Sequence, residues 1–407
     1  MNRFASGSSS ISGAAPQFAV SRGDVIRMAI VLLIIAIVIV GAYRLHNSAA
    51  AYSLLTGAAL GVVFQRGRFC FFCILRDFIE FRNSAPLYAI LTALAVGGVG
   101  YAIVFGVFLP NPYSGRLPPD AHIGPVSWVL VAAGSAFGIG MTLSGACISG
   151  HLYRLGEGST RAPIALFGSL VGFGVGLFTW SRLYEDTLVR APVVWLPATF
   201  GYGGSLALHL VVILALSLML LRYLPDLAES RGGRLSFGRV WETVFCQRWN
   251  PPVTGALVGV IGVFAYFRVE PLGVTAQFGS MSRTFLTNAG LIAERLNGLD
   301  TFAGCTAQVI QTITDNGLLI GGLVLGSFAA ALLSKRFVPE KLTVRGGITA
   351  LFGGVLMGWG AMSALGCTVG TLLSGISAFA LSGWVFGAAV FGGVWLGIKL
   401  RLWMQPT

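Results

Sequence analysis

Ten apolar stretches, each of roughly helix length, leave this chain one kind of environment in which to fold. They lie near residues 25–43, 50–65, 86–109, 126–143, 163–180, 203–222, 253–267, 317–334, 346–362 and 380–400. Crossing the hydrocarbon core takes about 20 apolar residues in a helix, because backbone polar groups must find their partners inside the protein there. The runs are continuous, unlike the ~10-residue alternating segments of an outer-membrane barrel. A soluble domain carries about 25% charged residues. This chain has 10%, against 55% hydrophobic, too few to dress a water-facing surface of ordinary size. The sequence therefore predicts an all-α polytopic membrane protein. Asp24–Tyr43 is longer than a signal-peptide h-region and lacks a small-residue cleavage site, so it reads as a span. Residues 1–24, mostly small and polar, read as a disordered tail.

The net charge of +12 does not point to nucleic acid, since the arginines sit between apolar runs rather than on one contiguous face. In a membrane protein that pattern encodes orientation. With both ends in the cytoplasm and ten spans threaded, 20 of the 27 basic residues fall inside and 7 outside. The inside set includes Arg66, Arg68, Arg76, Arg82 and the basic stretch from Arg222 to Arg248. The Asn111–Asp120 and Arg182–Trp195 loops are expected outside. Arg68 and Arg76, beside Cys70, are expected either to make an inner mouth electropositive or only to set orientation.

Several runs are short. At ~1.5 Å per residue, 346–362 covers about 25 Å of a ~30 Å core. The short runs lead into RGRFCFFCILRDF (66–78), SGACISGHLYRLGEGS (144–159), PLGVTAQ (271–277) and ALGCTVGTLLSGIS (364–377). A short helix, a glycine break and a second short helix mark discontinuous or re-entrant segments; the competing reading is that glycines only let helices pack closely. A faint repeat accompanies the breaks. TGAALGVV (56–63) matches TGALVGVI (254–261). At a constant offset of 220, Gly134, Gly138, Gly140, Cys147 and Gly150 match Gly354, Gly358, Gly360, Cys367 and Gly370. Threaded through the charge-derived topology, the equivalent segments point opposite ways. The expected organisation is a 25–222 repeat carrying one extra N-terminal span, a basic cytoplasmic loop at 223–252, and an inverted repeat at 253–402. Broken helices of such a repeat meet near the midplane.

Six cysteines occur: Cys70, Cys73, Cys147, Cys246, Cys305 and Cys367. Cys246 lies in the basic loop and receives no role. Cys147 and Cys367 follow glycine-rich helix ends at equivalent repeat positions. At a fresh helix N-terminus, free N–H groups and the dipole favour an anion and sharpen a thiol as a donor. A thiosulfate-like ion offers a soft terminal sulfur to S–H groups and its oxygens to backbone N–H groups, which brings Gly145 and Gly366 into the candidate set. The plainer alternative is that the cysteines are small buried hydrophobes. A metal site is not expected, because there is one CxxC only and His46, His122, His151 and His209 are not at ligand spacing from the cysteines. Cys70-x-x-Cys73 has no thioredoxin-like βαβ context, and a cytosolic position argues against disulfides of Cys70 and Cys147. No cofactor is expected.

FQRGRFCF with Arg76-Asp77 following, SGACISGHLYRLGEGS, AGCTAQ and ALGCTVGTLLSGISAFALSGWVF together resemble the YeeE/YedE membrane family of sulfur transporters, over roughly residues 50–400. The resemblance implies bacterial inner-membrane uptake of thiosulfate through a pseudo-symmetric, hourglass-like fold, with thiols relaying the ion by S–H···S contacts. It implies central relay positions for Cys147 and Cys367 and a place nearer the cytoplasmic exit for Cys70. Cys305 joins the candidates by motif, although Gly304-Cys305-Thr306-Ala307-Gln308 lacks the proline and basic residue usual there. Cys73 and the N-terminal span are not expected from the family. Some relatives are associated with selenium metabolism. The implied partners are the anion, the lipid bilayer and a cytoplasmic sulfur-carrier protein of the TusA kind. Two readings from other classes remain open: a membrane sulfur or selenium oxidoreductase handling sulfane sulfur on Cys70 and Cys73, and a structural subunit dependent on a separate ATPase or binding protein.

Overall fold

The computed structural model describes residues 22–44, 47–224, 247–302 and 307–403. Among them there is no β-strand, only isolated bridges between Pro125 and Val193 and between Trp195 and Ala380. Ten helical stretches are long and apolar enough to cross a membrane. The chain is an all-α polytopic membrane protein, as its apolar runs predict.

In order, the helices of the first half are α1 (Arg22–Arg44), α2 (Ser48–Gly67), α3 (Phe71–Phe81), α4 (Leu87–Phe108), α5 (Trp128–Ser144), α6 (Ile148–Gly156), α7 (Arg161–Asp186) and α8 (Pro197–Leu220). Those of the second half are α9 (Pro251–Arg268), α10 (Ala276–Asn288), α11 (Asp315–Leu333), α12 (Val344–Ser363), α13 (Thr368–Ser377) and α14 (Leu381–Trp403). Three boundaries differ from expectation. α1 starts at Arg22, inside the stretch 1–24 expected to be disordered, because helix continues for a turn ahead of the apolar window Ile26–Arg44. α9 starts at Pro251, within the expected 223–252 loop; proline's fixed φ and missing N–H suit a first turn. The run at 346–362 is not short. Thr343 caps the Gly346 N–H at 3.1 Å, and the resulting 20-residue helix is about 30 Å long.

The expected breaks are present. α2 stops at Arg68, whose φ of 49° is left-handed, and Cys70 opens α3. α5 stops at Gly145, whose φ of 90° costs an L side chain but not glycine, and Cys147 opens α6. After α12 the chain turns through Leu365 and Gly366, both at positive φ, and Cys367 opens α13, which is π-wound from Thr368 to Ser374.

Packing carries the repeat into three dimensions. The five most extensive helix pairings are α2 with α11, α7 with α12, α5 with α12, α5 with α14, and α4 with α9. Each joins one half of the chain to the other. Glycine contacts make two of the pairings equivalent. A methyl group on Gly57 or Gly61 of α2 would overlap the carbonyls of Leu319 or Leu323 in α11, while one on Gly255 or Gly259 of α9 would meet those of Ala89 or Ala93 in α4. Gly140 of α5 faces the carbonyl of Gly353, and Gly360 of α12 faces that of Ala133. The 220-residue offset exchanges these two contacts. Close packing is therefore what these glycines serve, as small residues do between membrane helices. α1 and α8 stand outside the scheme, each with only 17% of its apolar window buried.

A candidate anion pathway at the helix breaks

The short helices bring the first-half cysteines together. Cys70 and Cys147 are fully buried, and their Sγ atoms lie 3.7 Å apart. Gly150 makes room for this meeting, since a methyl group on it would sit 2.7 Å from Cys70 Sγ and 3.3 Å from Cys147 Sγ. Cys147 Sγ accepts from the Gly150 N–H at 3.3 Å and lies 3.2 Å from Ser149 Oγ. The thiol thus caps α6, in the electropositive setting that an open helix N-terminus supplies. Cys73, one turn into α3, is half-buried. Arg154 Nη2 lies 2.9 Å from its Sγ, while Nη1 donates to the Gly145 carbonyl at 3.0 Å. One guanidinium therefore ties the α5–α6 break to the second cysteine of the CxxC.

In the second half, Cys367 is 1% exposed and belongs to the same contiguous buried cluster as Cys70 and Cys147. It does not repeat the local geometry of Cys147, because its side chain caps nothing and the winding after it is π rather than α. Ser374 Oγ of α13 donates to the Leu272 carbonyl at 2.8 Å, tying α13 to the PLGV stretch much as Cys147 meets Cys70. Trp195 Nε1 holds the far end of α13 through the Ala378 carbonyl at 3.0 Å. Among the described residues, the hydroxyls of Ser363, Thr368 and Thr275 are buried without hydrogen-bond partners, as are both ring nitrogens of His151. Ser363 and Thr368 flank the Cys367 break, Thr275 opens α10 as Cys70 opens α3, and His151 follows Cys147 by one turn. Buried polar atoms are ordinarily paired, so these groups can serve a polar guest.

Below the first-half cysteines, a cavity of about 360 Å³ is lined by Arg68, Arg76, Arg154, Arg248 and Arg336 together with Cys73. Asp77, Glu157 and Glu340 also line it. Burial raises the Glu157 carboxyl above its ordinary range, against the opposing hydrogen bond from Gln65. No cluster of metal-ligating side chains is found among the described residues. Of the residues singled out in the sequence, Cys70, Cys147 and Gly145 share one junction. Cys367 and Gly366 form the second-half break, and Cys305 lies outside the described residues. Sequence reasoning missed Arg154 and left open whether Cys73 takes part. The spacing could have shown the first: residue 154 follows 147 by seven, two helical turns along one face.

Thiols gathered at broken helices inside a polytopic bundle, beside an arginine-lined cavity, suit a membrane transporter for a small anion. The chain belongs to the sulphur transport family, whose model matches residues 66–396. Thiosulfate transporter TsuA of Escherichia coli is 30% identical over 349 residues, covering 84% of this chain and 92% of that protein. TsuA of Spirochaeta thermophila is 30% identical over 359 residues, with 84% and 96% covered. Probable transporter YedE of Salmonella typhimurium is 27% identical over 179 residues, with 43% and 42% covered. The family is a transport family, and this chain is a transporter rather than an enzyme.

Proposed function

We propose that this protein takes thiosulfate, or a closely related sulfur anion, across the bacterial inner membrane, passing it between cysteine thiols by S–H···S contacts. The observation that carries the reading is the Cys70–Cys147 pair, 3.7 Å apart where two helix breaks meet. That spacing lets neighbouring donors share one soft sulfur atom without a covalent bond. Cys147 and Cys367 are the central contacts and Cys70 the inner one. Backbone N–H groups around Gly145 and Gly366, with the unpartnered Ser363 and Thr368 hydroxyls, take the oxygens. The two 30%-identical relatives named thiosulfate transporters support the cargo. Counting spans supports an inverted repeat: α2 begins the second span and α9 the seventh, so equivalent helices cross in opposite directions. Both termini and the 223–252 loop then face the cytoplasm.

Bringing a divalent anion inward against ~100 mV costs about 4.6 kcal/mol. Rapid cytoplasmic consumption of the ion, by a sulfur-carrier protein of the TusA kind, offsets that cost by holding its inside concentration low.

Uptake of labelled thiosulfate by cells carrying only this protein tests the reading. Cys147→Ala and Cys367→Ala should express normally, because the space left is smaller than a methyl-sized cavity and costs roughly 1 kcal/mol at most. Uptake by both variants should fall steeply. Cys147→Ser and Cys367→Ser exchange a soft S–H for a hard O–H and should also lose transport; Cys246→Ala is the silent control. If both alanine variants transport like the parent protein, the thiols are packing only.

A further inference from the structure

Among the described residues, five arginines line the cavity at Cys73 against three carboxylates. Each of the three carboxylates has a partner at hydrogen-bond distance. Asp77 pairs with Arg76 at 2.7 Å, Glu157 accepts from Gln65 at 3.1 Å, and Glu340 accepts from Ser159 at 3.1 Å. Among the described residues, ion pairs of the cavity's arginines involve Arg76 alone. Among those residues, no carboxylate lies at ion-pair distance from Arg68, Arg154, Arg248 or Arg336, which line the same space. Arg154 is the most constrained of them. Its bonds to Gly145 O and Cys73 Sγ fix the guanidinium in place, and a guanidinium has five N–H donors to offer. A cation withdrawn from water without a counter-ion is costly, and planar guanidinium forks match oxyanions bidentately.

We infer that this cavity is a separate anion-binding station, holding a small tetrahedral dianion through its oxygens, with Arg154 as the floor and Arg68, Arg248 and Arg336 as the wall. The inference rests on reading this face as the cytoplasmic mouth of the proposed pathway, and it divides the labour of that pathway. The buried thiols of Cys70 and Cys147 sort ions by their soft sulfur. The station has mainly N–H donors and cannot sort by that criterion, so sulfate fits it about as well as thiosulfate. Accumulated oxyanion on the inner side would therefore occupy the station and slow arrival of the next ion from the thiols. An orientation-setting role for these arginines predicts no binding at all.

Labelled sulfate, which lacks a sulfane sulfur, is the probe. The full chain in nanodiscs should bind it saturably, and thiosulfate should displace it at a similar concentration. Loss of one charge-assisted contact in Arg154→Gln should weaken binding by about tenfold or more. Arg154→Lys, which keeps charge but not the fork, should fall between. Arg154 also holds the Gly145 carbonyl, so the Arg68→Gln/Arg336→Gln double variant at the cavity wall carries the test if Arg154→Gln misfolds; it too should weaken sulfate at least tenfold. Arg182→Gln, at an exposed pair with Asp186, should bind like the parent. Absence of saturable sulfate binding, or equal binding by the parent and the double variant, overturns the station. Thiosulfate uptake in proteoliposomes separates the two claims. Uptake without sulfate binding sinks the station alone, and sulfate binding without uptake leaves the station standing while the proposed transport fails.

Discussion

At the scale of single residues, Gly150 does more for the candidate pathway than its lack of a side chain suggests. It lets two thiols touch and donates its N–H to one of them. Gly150→Ala leaves every cysteine in place and pushes Cys70 Sγ aside, so thiosulfate uptake per expressed molecule should drop about tenfold. Uptake equal to the parent's would put the Cys70–Cys147 contact off the path. Glu270, beyond the end of α9, makes a different prediction. Burial first, then the charge of Asp315, raise its carboxyl to about 7; Asp120 adds to the rise and a hydrogen bond with Asn316 opposes it. A carboxyl with a raised folded-state pKa binds its proton more tightly when folded. The unfolded chain therefore releases protons across this window, and stability falls as pH rises from about 4.5 to about 7, then levels. Thermal midpoints in detergent should show that decline in the parent, and Glu270→Gln should flatten it. A decline of equal depth in the variant would assign the effect elsewhere.

At the scale of elements, the glycine seams give a symmetric prediction. Gly57 and Gly255 occupy equivalent contacts, so Gly57→Ala and Gly255→Ala should destabilise by similar amounts, about 1–3 kcal/mol of overpacking each. Gly321 of α11 faces open space, and Gly321→Ala should be neutral or stabilise by a few tenths to about 1 kcal/mol through helix propensity. Unfolding midpoints in one detergent decide it, and tolerance of Gly57→Ala to the level of Gly321→Ala would mean the seam is looser than drawn. The helix breaks were legible because a break needs particular residues, Gly145 being the plainest. The length of α12 was not legible from hydropathy, because its first turn, Val344-Arg345-Gly346-Gly347, has one apolar side chain and is held by the Thr343 cap. The partnership of Arg154 with Cys73 was hidden for another reason. It joins positions 81 residues apart, and no local pattern encodes which arginine of a basic stretch will turn toward it.

At the scale of the whole molecule, charge bias makes the orientation testable. Single cysteines introduced at Arg248 and at Tyr113, on a background without exposed thiols, should react with impermeant maleimide from the cytoplasmic and the outer side respectively. Labelling of Arg248→Cys from outside would reverse the assignment. The number of spans could be read from the sequence; that the halves interlace could not, since neither block of matching residues says which helix it packs against. That interlacing has a mechanical consequence. A rocker-switch carrier needs a cleavage plane between two rigid bodies that tilt against each other. Here all five of the most extensive pairings run between the halves, and several are backbone-to-backbone contacts with no side chain to slide on. Tilting one half would tear seams on both sides of the bundle together. Any rigid body that moves must then carry helices from both halves, as the α2–α11, α4–α9 and α5–α7–α12–α14 groups do.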